Sequence, residues 1–395
     1  MTRLADSSLD IPIRDRILFG AGRIAELPRL VLELGCTRAF VVTDPGVVRA
    51  GVAGRACEVL EGAGIAAHVH GEVEPNPGAA SIVRGSESVA SFGTTGAIVV
   101  AVGGGSVMDS AKAISLHATN GGDVLGLGYH RGDLKPGLPL VAVPTTAGTG
   151  AETNSYGVIT DEAAGRKAYV GHRSVQPQAA ILDPELTLGM PPAVTATTGV
   201  DAMTHSLESL LSRNPNPFAE AMALQVLRTV EAWLPIAVAD GANLEARAQL
   251  LLASHLAGLG QASGTGVGLV HAIGHALGTR GRLPHGTALA AVLPEVLSFY
   301  LAEDGLRDRE LALVAVALGA ASPTDPAPEA ARAGIEALDA FLRRVGQRPS
   351  LAQLGVGNAL IPVIAHDAVE DAAIANSPRL PDEGQVEAIL RTVAG

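Results

Sequence analysis

The chain has 395 residues, 47% of them hydrophobic and 17% charged, and a formal net charge of −12. This composition supports a large buried core and argues against disorder. An acidic chain with no compensating basic cluster also argues against a nucleic-acid or anionic-membrane surface. Cys36 and Cys57 are the only cysteines, too few for a disulfide framework. Met1 to Asp15 is polar and lacks the charged-then-apolar pattern of a secretory signal. No apolar run is expected to reach the roughly 18 residues of a membrane span, so a reducing cytoplasm is the expected compartment.

In chain order, residues 38–44 read as a buried strand, 51–64 as a helix closed by glycine, 67–73 as a second strand and 79–92 as a helix. Residues 96–102 form an apolar strand running into three glycines, and 138–143 and 179–183 read as further strands. Continuous apolar strands alternating with helices predict a parallel sheet covered on both faces. Met190-Pro191-Pro192 reads as a joint, and beyond it helical patterns dominate: 199–212, 217–238, 244–259, 287–301, 309–318 and 328–345. The expected organisation is an α/β domain over residues 1–185 followed by an all-helical domain over 186–395.

Two loops follow strands in the first domain. Gly103-Gly104-Gly105-Ser106 leaves one strand and enters a helix, a place where glycines allow close backbone approach and free N–H groups attract a phosphate. A flexible strand-to-helix turn is the alternative, and the usual G-x-G-x-x-G fingerprint is absent. The second loop, residues 144–150, brings Thr145, Thr146 and Thr149 together with two glycines at the carboxyl end of a strand, the edge where open parallel sheets bind ligands. Two such loops suggest a ligand with two phosphates, hence a dinucleotide. Asp44 ends the first strong strand. A carboxylate there accepts ribose hydroxyls and repels a 2′-phosphate, favouring NAD over NADP; an ordinary Asx turn in Thr43-Asp44-Pro45-Gly46 is the alternative.

The strongest signal lies downstream. Asp201 and His205 are spaced i, i+4, as are His271 and His275, and His285 follows between Pro284 and Gly286. On a helix each pair shares one face. One carboxylate and three imidazoles make a first shell for a divalent metal with a position left for substrate. Ligation by oxygen and nitrogen without thiolate suits Fe²⁺, Zn²⁺, Mn²⁺ or Co²⁺. The other histidines, His68, His70, His117, His130, His172, His255 and His366, are assigned no metal.

Taken together, Gly103 to Lys112, Pro144 to Glu152, Thr198 to His205 and His271-(x3)-His275-(x9)-His285-Gly286 resemble the iron-containing, group III alcohol dehydrogenases. Glu74-Pro75-Asn76-Pro77 and Asp183 to Pro192 match that pattern too, and the resemblance runs from about Phe19 to Ser298. It implies a Rossmann-like dinucleotide domain, a helical metal domain of the dehydroquinate-synthase type of architecture, an active site in the cleft between them, and a homodimer. By motif position, Asp201, His205, His271 and His285 would be the metal ligands, with iron the implied metal and zinc an alternative. His275 would be a non-ligand histidine beside the nicotinamide and the candidate proton relay, or a residue that only orients the cofactor. The glycine loop with Asp109, the threonine loop, Asn76 and Lys167 would surround NAD(H); without the resemblance Lys167 reads as a solvated lysine in the charged hairpin Asp161 to Arg166. One departure stands out. The stretch between His275 and His285 often carries aromatics in this family, and here it holds Arg280 and Arg282, either solvated charges or a fork for an anionic substrate.

The implied reaction is hydride transfer between a small alcohol or aldehyde and nicotinamide, with the metal polarising the substrate oxygen. A metal- and NAD-dependent lyase or cyclase of the dehydroquinate-synthase type is the competing enzyme reading. A non-catalytic metal- or nucleotide-binding module is a third.

Overall fold

The computed structural model of the protein describes residues 16–129, 131–302 and 307–395. The N-terminal stretch to Asp15 and His130 lie outside the described residues. By contacts the described chain forms two compact units, residues 16–199 with 233–255, and residues 200–232 with 256–395. The domain boundary expected after residue 185 is a division in chain order, whereas contacts assign residues 186–199 and 233–255 to the α/β unit.

The strands of the first unit are β1 (Arg16–Phe19), β2 (Arg38–Val42), β3 (Ala66–His70), β4 (Ala97–Gly103), β5 (Leu140–Pro144), β6 (Tyr156–Asp161), β7 (Arg166–Gly171) and β8 (Ala179–Leu182). Six of them make one sheet in the order β1-β8-β5-β4-β2-β3, and every pairing in it is parallel. The parallel sheet is as expected, and its chemistry follows from burial. β4 and β5 are buried along their whole length and consist almost entirely of Val, Ala, Ile and Leu, because a parallel strand covered on both faces has no solvent side to mark with polar residues. The chain runs β2 to β3 in one direction, returns past β2 to β4, and then builds outward through β5 and β8. That reversal opens a crevice at the carboxyl ends of β2 and β4.

Two pieces of this unit go beyond the expected strands, the second around the charged hairpin expected at Asp161 to Arg166. β1 is four residues long and largely exposed at the sheet edge, and its apolar run, Ile17 to Phe19, is too short to mark a strand by itself. β6 and β7 form a separate antiparallel hairpin. Buried Lys112 ties it to the sheet layer: its Nζ donates to the Ala151 carbonyl at 2.5 Å, to Asn154 Oδ1 at 2.7 Å and to the Tyr156 carbonyl at 2.9 Å.

After β8 the described residues are helical apart from turns. The six expected helices are all present, within a residue or two at most ends. The first departs most: it runs Pro192–Leu211, seven residues earlier than expected, with proline placed where a helix needs no N–H donor. Leu269–Arg280 carries His271 and His275. Two further helices, Ile361–Val369 and Glu383–Thr392, close the chain, the second with a reciprocal cap between Asp382 and Gln385. One expectation needs correction. Helix Pro217–Ala239 has 23 residues and an 18-residue window of mean hydropathy 1.3, so by length and composition it is sufficient for a membrane span. Its sequence also holds Glu220, Arg228 and Glu231, and Val226, Leu227, Val230 and Leu234 are wholly buried, so the fold occupies its apolar side.

Candidate metal centre and cofactor cavity

Asp201, His205 and a residue the sequence reading passed over, Glu208, lie at i, i+4 and i+7 of helix Pro192–Leu211, on one face. All three are buried, as are His271 and His275 on helix Leu269–Arg280. His285 begins helix His285–Leu301 and is the most exposed of the set.

These helices bring the expected ligands together around a single atom. Asp201 Oδ1 lies 3.7 Å from His205 Nε2, 3.7 Å from His271 Nε2 and 3.6 Å from His285 Nε2. Ligand atoms of Asp201, His271 and His285 fall within 4.8 Å of one another. The rings of His205 and His271 stack with centroids 4.7 Å apart. None of the three oxygen–nitrogen separations is a hydrogen bond, and Asp201 Oδ1 and His271 Nε2 are buried with no hydrogen-bond partner. Two buried polar atoms without partners would be costly in an apolar setting. Two ligands bound at about 2.1 Å in tetrahedral geometry sit roughly 3.4 Å apart, close to the spacing seen here. The donor set of oxygen and imidazole nitrogen thus fits a divalent cation.

The clustered groups shift one another's charge states. Burial alone would raise the Asp201 carboxyl, but His205, His285 and His271 outweigh it and hold it far below the usual range. Burial lowers His271, yet Glu208 and Asp201 more than reverse this and raise it to about 9. Burial keeps His285 low, in its neutral form.

Two carboxylates outside the cluster grip its imidazoles. Glu208 Oε2 accepts from His271 Nδ1 at 2.6 Å. Asp371 Oδ2 accepts from His275 Nδ1 at 2.9 Å, while its Oδ1 accepts from the Ala373 N–H at 2.8 Å. His275 stands beside the cluster, its ring stacked on His285 at 5.6 Å. Arg280 is engaged by Asp367 in a two-pronged pair at 2.6 and 3.2 Å, whereas Arg282 is exposed and in the left-handed backbone region, φ 55°.

In the α/β unit the strand ends enclose a cavity of about 950 Å³. Asp44, Gly104, Gly105, Ser106, Thr145 and Thr146 line it, six of the expected cofactor residues. Gly104 and Gly105 begin helix Gly105–Asn120, whose N-terminus has no side-chain cap. They are glycines because the threonine loop is pressed against them: a Cβ on Gly104 would lie 3.0 Å from Thr146 Cγ2, and one on Gly105 2.7 Å from Thr149 Cγ2. Asp44 makes the Asx turn considered as its alternative and also borders the cavity. Its Oδ1 accepts from the Gly46 and Val47 N–H groups at 2.7 and 3.0 Å.

The remaining expected residues are placed differently. Gly103 is the last residue of β4, Thr149 packs on Gly105, and Asp109 lies one turn into the helix. Asn76 and Lys167 are outside the cavity lining and meet each other, Lys167 Nζ donating to Asn76 Oδ1 at 2.9 Å and to Thr160 Oγ1 at 3.0 Å. Asn76 holds a left-handed backbone, φ 53°, a conformation asparagine tolerates better than most residues.

Comparison with known proteins decides the family. The family model for iron-containing alcohol dehydrogenase matches residues 14–184, and the model for the C-terminal part of the Fe-containing alcohol dehydrogenase family matches residues 195–394. The chain belongs to the iron-containing alcohol dehydrogenase family. It is 34% identical to Alcohol dehydrogenase 4 of Schizosaccharomyces pombe over 375 residues, covering 95% of this chain and 86% of that one. It is 32% identical to the NAD-dependent methanol dehydrogenase of Bacillus methanolicus over 374 residues, covering 95% and 97%. Among solved structures, 1,3-propanediol oxidoreductase superposes with a TM-score of 0.93 at 32% identity, covering 98% of this chain and 100% of that one. The protein is therefore an oxidoreductase of this family, which leaves the lyase or cyclase reading and the non-catalytic reading without support.

Proposed function

We propose that the protein is an NAD(H)- and divalent-metal-dependent alcohol dehydrogenase or aldehyde reductase acting on a small alcohol or aldehyde. One observation carries the reading: three imidazole nitrogens surround a buried Asp201 oxygen that has no hydrogen-bond partner. Asp201, His205, His271 and His285 would hold the metal, with iron favoured by family membership and zinc retained as an alternative. When bound, the metal supplies Lewis-acid polarisation of the substrate oxygen and the nicotinamide supplies or takes the hydride.

The protein's own groups do the rest. Gly104, Gly105 and Ser106 present free N–H groups of a helix N-terminus to a cofactor phosphate. Asp44 places a negative charge at the cavity border, where it favours NAD over NADP. Asp371 takes the Nδ1–H of His275, so the imidazole's other nitrogen, Nε2, is the atom available to hold or give up a proton. A preference for anionic substrates now rests mainly on Arg282, because the Arg280 guanidinium is already neutralised by Asp367.

The test is NADH oxidation over a panel of aldehydes, neutral and anionic, with metal-stripped, Fe²⁺-loaded and Zn²⁺-loaded protein. Turnover that needs metal and is lost together with bound metal in Asp201→Ala is the expected result. Full turnover by metal-stripped protein would end the reading. Arg282→Met should raise KM for anionic aldehydes only, and an equal rise for neutral ones removes the anionic preference.

A further inference from the structure

We propose that Glu208 is the positioning residue that dictates which nitrogen of His271 faces the metal, using the same carboxylate that caps the His271 helix; this rests on the metal-centre reading above. Helix Leu269–Arg280 begins at Gly268 and has no side-chain cap of its own. Glu208, from the other ligand-bearing helix, fills that place. Its Oε1 accepts from the Val270 N–H at 2.7 Å and from the His271 N–H at 3.3 Å, while Oε2 accepts from His271 Nδ1 at 2.6 Å. The carboxylate is buried, and a Cβ on Gly268 would lie 3.3 Å from Oε1, so the glycine keeps the approach open.

Every group around Glu208 in this arrangement is a donor, so the side chain has to accept at both ends. Only an ionised carboxylate does so. In the neutral imidazole that a cation requires, Nδ1–H committed to Oε2 leaves Nε2 bare, the buried atom 3.7 Å from Asp201 Oδ1 that lacks a hydrogen-bond partner. That is the atom whose lone pair a cation needs. Glutamine has the same shape but carries a donor at one end. If its NH₂ faces the backbone, it opposes two N–H groups. If it faces Nδ1, the imidazole proton must move to Nε2, which then has no lone pair to offer. Aspartate is shorter but accepts at both ends. A purely space-filling role ranks these variants the other way, since glutamine preserves the volume.

The experiment measures the Zn²⁺ dissociation constant by chelator competition for the wild type, Glu208→Gln, Glu208→Asp and Asp201→Ala, with NADH affinity read in parallel. Glu208→Gln should bind Zn²⁺ about 10- to 100-fold more weakly than wild type, Glu208→Asp should fall between them, and NADH affinity should stay unchanged. In Zn²⁺-loaded wild type labelled with ¹⁵N-histidine, His271 should carry its proton on Nδ1. The proposal is overturned if Glu208→Gln matches wild type while Asp201→Ala loses the ion, an outcome that leaves the metal centre standing and reduces Glu208 to a helix cap. It is equally overturned if Glu208→Asp binds more weakly than Glu208→Gln. If Asp201→Ala binds Zn²⁺ as wild type does, the metal-centre reading fails and this inference with it. Should Glu208→Gln not fold, the wild-type spectrum decides alone, and a proton on Nε2 overturns the proposal.

Discussion

Where two loops meet at Gly104 and Gly105 the cavity wall is glycine and threonine, although Asp44, Arg49, Arg55, Glu74 and Glu185 also line it, whereas the centre around Asp201 is assembled from ionisable side chains, most of them buried. The first depends on what is absent: two missing Cβ atoms let one loop press on the next. The second depends on what is present: charged groups packed together, with Glu208 and Asp371 accepting from His271 and His275. The two regions should therefore fail in different ways. A cavity built from small groups loses affinity gradually as bulk is added, while a charged cluster loses function outright when one member is removed, because its partners are left buried and uncompensated.

The largest effect tests that contrast directly. Asp201→Ala removes the oxygen that three imidazoles surround. Metal content by elemental analysis should fall to background and turnover should vanish, while NADH binding by fluorescence titration stays at the wild-type value. Gly105→Val is the reciprocal change. Its side chain would push into Thr149, and displacing a cofactor loop by a fraction of an ångström should raise KM for NADH about ten-fold or more. Metal content should not change. If either variant damages both properties equally, the two regions are not separable and the comparison breaks.

Asp371→Asn is a smaller change and sharpens the comparison within the centre. Asparagine can still cap the 3₁₀ turn at Ala373, but it no longer brings a full negative charge to His275 Nδ1. Loss of an oriented proton carrier should lower kcat by about ten-fold with KM for aldehyde and metal content nearly unchanged. A drop in metal content instead would place Asp371 among the groups supporting the ion, alongside Glu208, and would remove it from proton handling.

The same contrast explains what was legible in the sequence. The cofactor loops were visible because strand, glycine run and helix are contiguous, and the chemistry of a parallel-sheet edge attaches to that local pattern. The candidate metal cluster was visible because Asp201 with His205 and His271 with His275 share helix faces at i, i+4. The carboxylates that pair with His271, His275 and Arg280 were hidden by distance along the chain. Glu208 meets His271 across 63 residues, Asp367 meets Arg280 across 87, and Asp371 meets His275 across 96. Glu208 alone left a local trace, since i+7 continues the face of Asp201 and His205, but a lone glutamate on a helix face ordinarily reads as solvated charge. Helix Pro192–Leu211 began early for a related reason: its threonine-rich first turns look like a loop, and the proline that starts it was taken for a joint.

Asp109 carries the smallest expected effect and lies between the two materials, an ionisable side chain in the glycine-loop helix. Burial pushes its carboxyl up to about 6, against the opposing pull of Lys112 and of the hydrogen bond from the Val158 N–H. Its ordinary value is 3.8, so the folded state disfavours the ionised form. Stability is therefore full below about pH 4 and declines as pH rises through about 6. Asparagine keeps an acceptor for Val158 and has no charge to bury. Asp109→Asn should melt with the wild type near pH 4 and above it at pH 7 and 8, the gap opening between those limits and then holding constant. A gap of the same size at every pH would mean that Asp109 acts through shape and hydrogen bonding alone, as the glycines and threonines around it do.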